Sequence, residues 1–272
     1  MRRTISVPEK TRISSLFLDF DGTISSINTP TEKPHLTSEV QRDLRKIVER
    51  IPIGIITTKD MQFIQAQVPF ASAWAAIGGL EIKIGNREWV APQAADGHLL
   101  VDTLSNQIED TAKRIDDNIY VEKKRLSNGN VVAFCVDWRL GRDWENIRAR
   151  IDPLIETCKH QGFRVLRYAD RPYIDVYSCE IEKGRALSIL RDELKIDGPV
   201  MYMGDSELDN SAFRLADISV GVLHEGAPTK LECEFYVQFD HVKEFLEELW
   251  ANHLTFSPDF QSITEHESPS RA

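Results

Sequence analysis

The stretch Leu16-Phe17-Leu18-Asp19-Phe20-Asp21-Gly22-Thr23 constrains the fold of this chain more than any other. Three apolar residues read as a strand buried on both faces, and the run ends at once in two carboxylates and a glycine turn. Strands buried on both faces belong inside parallel sheets, and open parallel sheets bind ligands beyond the carboxyl ends of their strands. Two acids delivered at that place are candidates for chemistry. The next segments support the sheet. Residues 38–50 carry Val40, Leu44, Ile47 and Val48 at helical spacing, and Ser38 with Gln41 fits a capping box at the start. Ile53-Gly54-Ile55-Ile56 then reads as a second buried strand ending at Thr57-Thr58. Strand, helix, strand in this order is a βαβ unit.

The pattern changes after residue 80. Gly85-Asn86 and Ser127-Asn128-Gly129-Asn130 sit between short runs of strand character and predict two hairpins. Leu100, Leu104, Ile108, Ala112 and Ile115 mark a helix between them. A second helix over about 144–160 should kink near Pro153, and two more strands follow, Phe163 to Tyr168 and Tyr173 to Tyr177. This is a small antiparallel α+β unit. The parallel pattern resumes with a helix opening at Lys183-Gly184, a strand Val200 to Met203 ending in Gly204-Asp205, a strand over 218–222 and a closing helix over 241–250. The expected architecture is α/β: a doubly wound, Rossmann-like parallel-sheet core over 12–92 and 177–254. An α+β cap is inserted over 93–176, and 1–11 and 255–272 are expected as disordered tails.

With 272 residues, 42% hydrophobic and 28% charged, the composition is that of a globular chain with a sizeable core. No apolar run approaches the length of a membrane span, and no apolar stretch follows the N-terminal arginines as a secretory signal requires. Cys135, Cys158, Cys179 and Cys233 lie far apart, which favours reduced thiols in a cytoplasmic protein. A net charge of −10 argues against nucleic acid and anionic lipid as partners. It also means that a small anionic substrate needs local cations or a metal.

Four groups of polar residues fall at strand ends or helix starts: Asp19 with Asp21, Thr57 with Thr58, Lys183, and Asp205 with Asp209. Their types fit hydrolysis of a phosphate monoester, which needs a nucleophile, a proton donor for the leaving alcohol and positive charge at the phosphoryl oxygens. Asp19 can attack and form an aspartyl-phosphate; Asp21, two residues on, can protonate the leaving oxygen and then deprotonate water. Asp19 and Asp205 repel each other unless a cation lies between them, and Mg²⁺ fits because it takes few carboxylates and keeps room for a phosphate oxygen. Thr57 offers a hydroxyl and a strand-end N–H to the phosphate. Lys183 adds charge beside helix-terminal N–H groups. Asp209 can hold a metal-bound water or orient Lys183.

Each group taken singly has an ordinary structural explanation. Thr57-Thr58 can be a strand terminus, Lys183 a solvated helix start, and Asp205 and Asp209 an N-cap and a first-turn acid. Glu122, Lys124 and Arg139 can be cross-strand ion pairs as readily as substrate contacts.

Together the four groups, in this order, resemble the four motifs of the haloacid dehalogenase superfamily of phosphatases, over roughly residues 12–250. The large insert resembles that of its sugar-phosphatase branch. The resemblance implies a Mg²⁺-dependent hydrolase with Asp19 as nucleophile, Asp21 as acid and base, and a metal held by Asp19, Asp205, Asp209 and the Asp21 carbonyl. Val121-Glu122-Lys123-Lys124-Arg125-Leu126-Ser127 is similar to the V-E-x-K-x-x-S segment of the trehalose-6-phosphate phosphatase family, and Asp137-Trp138-Arg139 to its H-Y-R. That similarity implies Glu122, Lys124, Arg139 and Asp175 as substrate contacts and a phosphorylated sugar as the partner. This chain departs from the family where S-G-R is replaced by Thr57-Thr58-Lys59, and E-x-R-P by Asp175-Val176-Tyr177-Ser178. Mannosyl-phosphoglycerate and sucrose-phosphate phosphatases share the layout, and a phosphomutase or phosphotransferase shares the chemistry. A non-enzymatic receiver or an inactive scaffold fits less well. The expected state is a monomer or weak oligomer.

Overall fold

The computed structural model describes residues 10–27, 34–168, 171–225 and 230–265. The first part of the chain forms β1 (Thr11–Arg12), β2 (Ser15–Leu18), α1 (Ser38–Val48), β3 (Ile53–Ile56), α2 (Met61–Gln67), β4 (Ala73–Ala76), β5 (Glu81–Ile84) and β6 (Arg87–Val90). Next come α3 (Pro92–Ile115), β7 (Tyr120–Arg125), β8 (Val131–Asp137), α4 (Trp144–His160), β9 (Arg164–Arg167) and β10 (Tyr173–Tyr177). The last part forms α5 (Lys183–Glu193), β11 (Val200–Gly204), α6 (Asn210–Phe213), β12 (Ile218–Leu223), β13 (Phe235–Gln238), α7 (Val242–Ala251), β14 (Thr255–Phe256) and β15 (Ile263–Glu265).

Nine strands make one sheet in the order β15-β13-β12-β11-β2-β3-β4-β5-β6. The run from β13 to β4 is parallel throughout, while β5, β6 and β15 join it antiparallel. Side chains alternate across it. Leu16 and Leu18 pack with Leu44 and Ile47 of α1 and Phe245 of α7, whereas Phe17 packs on the opposite face with Leu187 and Leu190 of α5. Helices therefore cover both faces, as parallel strands require. From β2 the chain builds outward through β3 to β4; it later returns to β2's other side with β11 and builds outward again. The crevice between β2 and β11 is thus a topological switch point, where such sheets take their ligands.

The strands β7-β8-β10-β9 form a second, wholly antiparallel sheet. One face packs on α3 and α4 through Phe134, Val136, Ile174, Val176, Ile108 and Ile151. Its other face carries Glu122, Lys124, Asp137 and Asp175 toward a cavity shared with the large sheet.

Two expectations change. The N-cap of α1 is Thr37, whose hydroxyl accepts the Val40 N–H at 3.3 Å, one residue before the capping box read at Ser38. The tail expected from residue 255 is structured to 265. Thr255 and Phe256 pair with β1, which starts inside the other expected tail, and β15 extends the large sheet. The reason is apolar anchoring: Phe256 is fully buried between Phe245 and Phe260, and Ile263 is buried as well. Residues 1–9 and 266–272 lie outside the described residues. Among the described residues no helix is long and apolar enough to cross a membrane.

Candidate active site

Asp19 follows β2 directly. Its N–H donates to the Met203 carbonyl at 2.9 Å, which extends the β2–β11 ladder by one step and sets the side chain at the switch-point crevice. One carboxylate oxygen accepts the Phe20 N–H at 2.7 Å, and the other lies 2.7 Å from Lys183 Nζ. Lys183, the first residue of α5, is 2% exposed and stands 2.7 Å from Asp209 as well. Asp209 is fully committed: Oδ1 accepts from Lys183 and the Tyr202 hydroxyl, and Oδ2 accepts from the Ser206 N–H at 3.0 Å and the Ser206 hydroxyl at 2.8 Å. Of the two roles read for Asp209, the orientation of Lys183 is the one its contacts display.

Asp19, Asp205 and Asp209 each bring a carboxylate oxygen within 4.8 Å of the others. Asp205 follows β11, across the crevice from Asp19. The tight approach depends on glycine. Gly22 sits at φ +73°, and a Cβ there would collide with the Asp205 carboxylate. His224 closes this side. Its Nε2 lies 2.7 Å from the Gly22 carbonyl, which fixes the proton on that nitrogen, and its ring stacks on Phe239.

Burial dominates the electrostatics. It pushes Asp19 up to about 7, against the pull of Lys183, with Asp209 adding to the rise. It also raises Asp21, against Lys59, and lifts Asp205 well above the carboxylate range with help from the charge on Asp19. Burial works to lower Lys183, but Asp19 and Asp209 prevail and hold it above its ordinary value. Three crowded carboxylates, two of them reluctant to ionise together, make a donor set suited to a hard divalent cation. The Asp21 carboxylate stands outside that trio. Its Oδ1 is buried without a hydrogen-bond partner, and its Oδ2 lies 3.8 Å from Lys59 Nζ.

A pH dependence follows for the metal-free protein. The folded-state value of Asp19 is raised above the unfolded one, so its contribution is intact below about pH 4 and is lost as pH rises through about 7. Asp205 and Asp21 are shifted the same way. In EDTA the thermal midpoint should therefore fall between about pH 5 and pH 8, and Mg²⁺ should raise it more at the higher pH. A midpoint indifferent to Mg²⁺ at both pH values would remove the case for a metal.

Thr57 and Thr58 divide. Thr57 is fully buried, its N–H is taken by the Ala75 carbonyl at 2.9 Å, and its hydroxyl accepts the Lys59 N–H at 3.2 Å. The strand-end N–H expected at the phosphate is thus used by the sheet, because β4 extends past it. Thr58 lines the cavity. Lys59, 6% exposed, was not read as a site residue; it lies 3.4 Å from Glu122 and links the two sheets. Its place after a strand-end threonine pair, where the resembling family has the arginine of S-G-R, was the signal for it.

The second sheet supplies the facing wall of a cavity of about 910 Å³. Lys124 lies 2.9 Å from Asp175, with Tyr168 donating to the other Asp175 oxygen at 2.9 Å. Arg139 grips Asp137 through Nε and Nη2. So Lys124 and Asp175 are paired across the sheet, Arg139 is paired locally, and all line the cavity with Glu122, Asp19, Asp21, Lys183 and Asp205.

No protein-family model matches the chain. In sequence it is 25% identical over 258 residues to a probable trehalose-phosphate phosphatase C of Arabidopsis thaliana, covering 86% of this chain and 76% of the relative. It is 25% identical over 268 residues to a probable trehalose-phosphate phosphatase 3 of Oryza sativa subsp. japonica, covering 86% and 68%. In structure it matches a trehalose-6-phosphate phosphatase related protein with a TM-score of 0.70 at 18% identity, over 89% of this chain and 99% of that one. A haloacid dehalogenase-like hydrolase from Bacteroides thetaiotaomicron gives 0.60 at 16% identity, over 87% and 99%. The fold defines the class: an α/β protein with the haloacid dehalogenase-like fold. Within that class the chain is similar to the trehalose-phosphate phosphatases.

Proposed function

We propose that this protein hydrolyses the phosphate ester of a small phosphorylated sugar through an aspartyl-phosphate on Asp19. The observation that supports this best is the placement of Asp19 beside Lys183 at the switch point, with Asp21 lining the same cavity. Lys183 and the Phe20 N–H hold the Asp19 carboxylate in one orientation for attack on phosphorus. Asp21, whose pKa burial raises, donates a proton to the leaving sugar oxygen; as the carboxylate it then takes a proton from the water that cleaves the aspartyl-phosphate. A Mg²⁺ ion held by Asp19, Asp205 and the Asp21 carbonyl would supply positive charge for the phosphoryl oxygens. Thr58, in the lining of the cavity, would donate its hydroxyl to the phosphate. Residues 93–176 act as the cap, with Glu122, Lys124, Arg139 and Asp175 as its substrate face.

Trehalose 6-phosphate is the first sugar phosphate to test, because relatives in both comparisons bear its phosphatase in their names. The four cysteines are free thiols, which supports a cytoplasmic setting, and a monomer or weak oligomer suffices for the site. The test is release of inorganic phosphate from trehalose 6-phosphate, glucose 6-phosphate and p-nitrophenyl phosphate, in Mg²⁺ and in EDTA. Mg²⁺-dependent release is expected. Transfer of phosphate to a second hydroxyl without release would mark a mutase or phosphotransferase instead.

A further inference from the structure

The phosphatase chemistry leaves one cluster in the cavity unused. Tyr173 opens β10 and packs its ring 4.8 Å from that of Tyr168. The Arg139 guanidinium lies 5.5 Å over the Tyr173 ring and is fixed there by Asp137. Arg171, two residues before Tyr173, lines the same cavity and has no carboxylate partner among the described residues. Its charge acts on both walls. Burial pushes the Tyr173 phenol up to about 12, and Arg171 is the foremost charge opposing that rise. In the core, burial lowers His224 and Arg171 adds to the effect.

The other arginines of this wall are neutralised from behind. Arg164 pairs with Glu180, and Arg167 pairs with Asp152 and Glu156, none of which lines the cavity. On the core side Lys183 faces Asp19, and Lys59 faces Asp21 and Glu122. Among the described residues Arg171 is therefore a half-buried cation without an ion-pair partner, in a chain of net charge −10. Glu122, Lys124, Asp175 and Tyr168 already offer donors and acceptors for the hydroxyls of a neutral sugar, which leaves the charge of Arg171 unmatched. A guanidinium is suited to a planar or tetrahedral oxyanion, which it grips with paired N–H groups. The Arg139 guanidinium, over the Tyr173 ring in the same cavity, adds a second such group.

We propose that Arg171, with Arg139, forms a second anion subsite, and that the substrate is a phosphorylated sugar carrying a further oxyanion remote from the reacting phosphate. The inference rests on the phosphatase reading. Its test compares phosphate release, in Mg²⁺, from the neutral-bodied trehalose 6-phosphate and glucose 6-phosphate with release from 6-phosphogluconate and fructose 1,6-bisphosphate. The two anionic compounds distinguish a carboxylate from a second phosphate. Gluconate and trehalose are run alongside as inhibitors of p-nitrophenyl phosphate hydrolysis. The expected result is at least a tenfold advantage in kcat/KM for one anionic compound, carried by KM, or inhibition by gluconate at concentrations where trehalose has no effect. Arg171→Gln should abolish whichever preference is seen, and Arg171→Lys should restore part of it. Neutral compounds turned over as well as the anionic ones, with no preference for gluconate, would overturn the subsite and leave the phosphatase standing. Absence of phosphate release from every compound, p-nitrophenyl phosphate included, would overturn the phosphatase reading and the subsite with it.

Discussion

Asp19→Asn is expected to lower phosphate release by roughly 10³-fold or more, equally for sugar phosphates and for p-nitrophenyl phosphate. Asparagine keeps the shape of the side chain and can still accept the Phe20 N–H, so the fold around β2 is retained. What disappears is the oxygen nucleophile, together with one charge of the trio that includes Asp205 and Asp209. A loss of 10³ corresponds to about 4 kcal/mol of barrier, more than the loss of one hydrogen bond explains. Asp21→Asn supplies the contrast. Protonation of the leaving oxygen matters most when that oxygen is a poor leaving group, so Asp21→Asn should lower kcat/KM for sugar phosphates far more than for p-nitrophenyl phosphate, while loss of the base slows hydrolysis of the aspartyl-phosphate for both. If Asp19→Asn showed that leaving-group dependence and Asp21→Asn did not, the two roles would have to be exchanged. Wild-type rates in Asp19→Asn would end the case for a covalent intermediate at this residue.

The sequence was most legible where one residue type at one place has few uses. Asp19, Asp21, Lys183 and Asp205 are polar groups at the ends of apolar strands or the start of a helix, and the structure brings all four to one cavity. The parallel order of β2 and β3 was readable because a polar-capped helix joins two apolar runs. Other features depend on partners distant in sequence. The strand β4, Ala73-Trp74-Ala75-Ala76, has weak strand propensity and is set by pairing with β3 and β5. Its presence diverts the Thr57 amide from the phosphate. Phe256, Phe260 and Ile263 fall at i, i+4 and i+7, a helical spacing, yet the segment forms two short strands, so the packing of residues 255–265 could not be read locally. Lys59, Tyr168, Arg171 and His224 gain meaning only when the two sheets face each other. Tyr202 read as one more core residue of β11, yet its hydroxyl reaches Asp209.

That last contact bears on Lys183→Met, which is expected to cost both stability and turnover. Lys183 is nearly inaccessible and serves Asp19 and Asp209 together, each at 2.7 Å. Removing one partner of a buried ion pair typically costs about 3–5 kcal/mol, because the remaining charge stays buried without compensation. Asp209 is partly protected, since Tyr202 and Ser206 still donate to it; Asp19 keeps only the Phe20 N–H. The burden therefore falls on the nucleophile. Its pKa should climb further, so that phosphate release falls by roughly 10²-fold or more and the pH profile moves to higher pH. Removing Asp209 as well, as Lys183→Met with Asp209→Asn, takes away the second uncompensated charge and should recover part of the melting temperature. It should recover no activity, because the cation beside Asp19 is still missing. A double variant that regained turnover along with stability would show that Lys183 serves the fold alone. A single variant that melted like wild type but failed to turn over would place its whole effect in the chemistry.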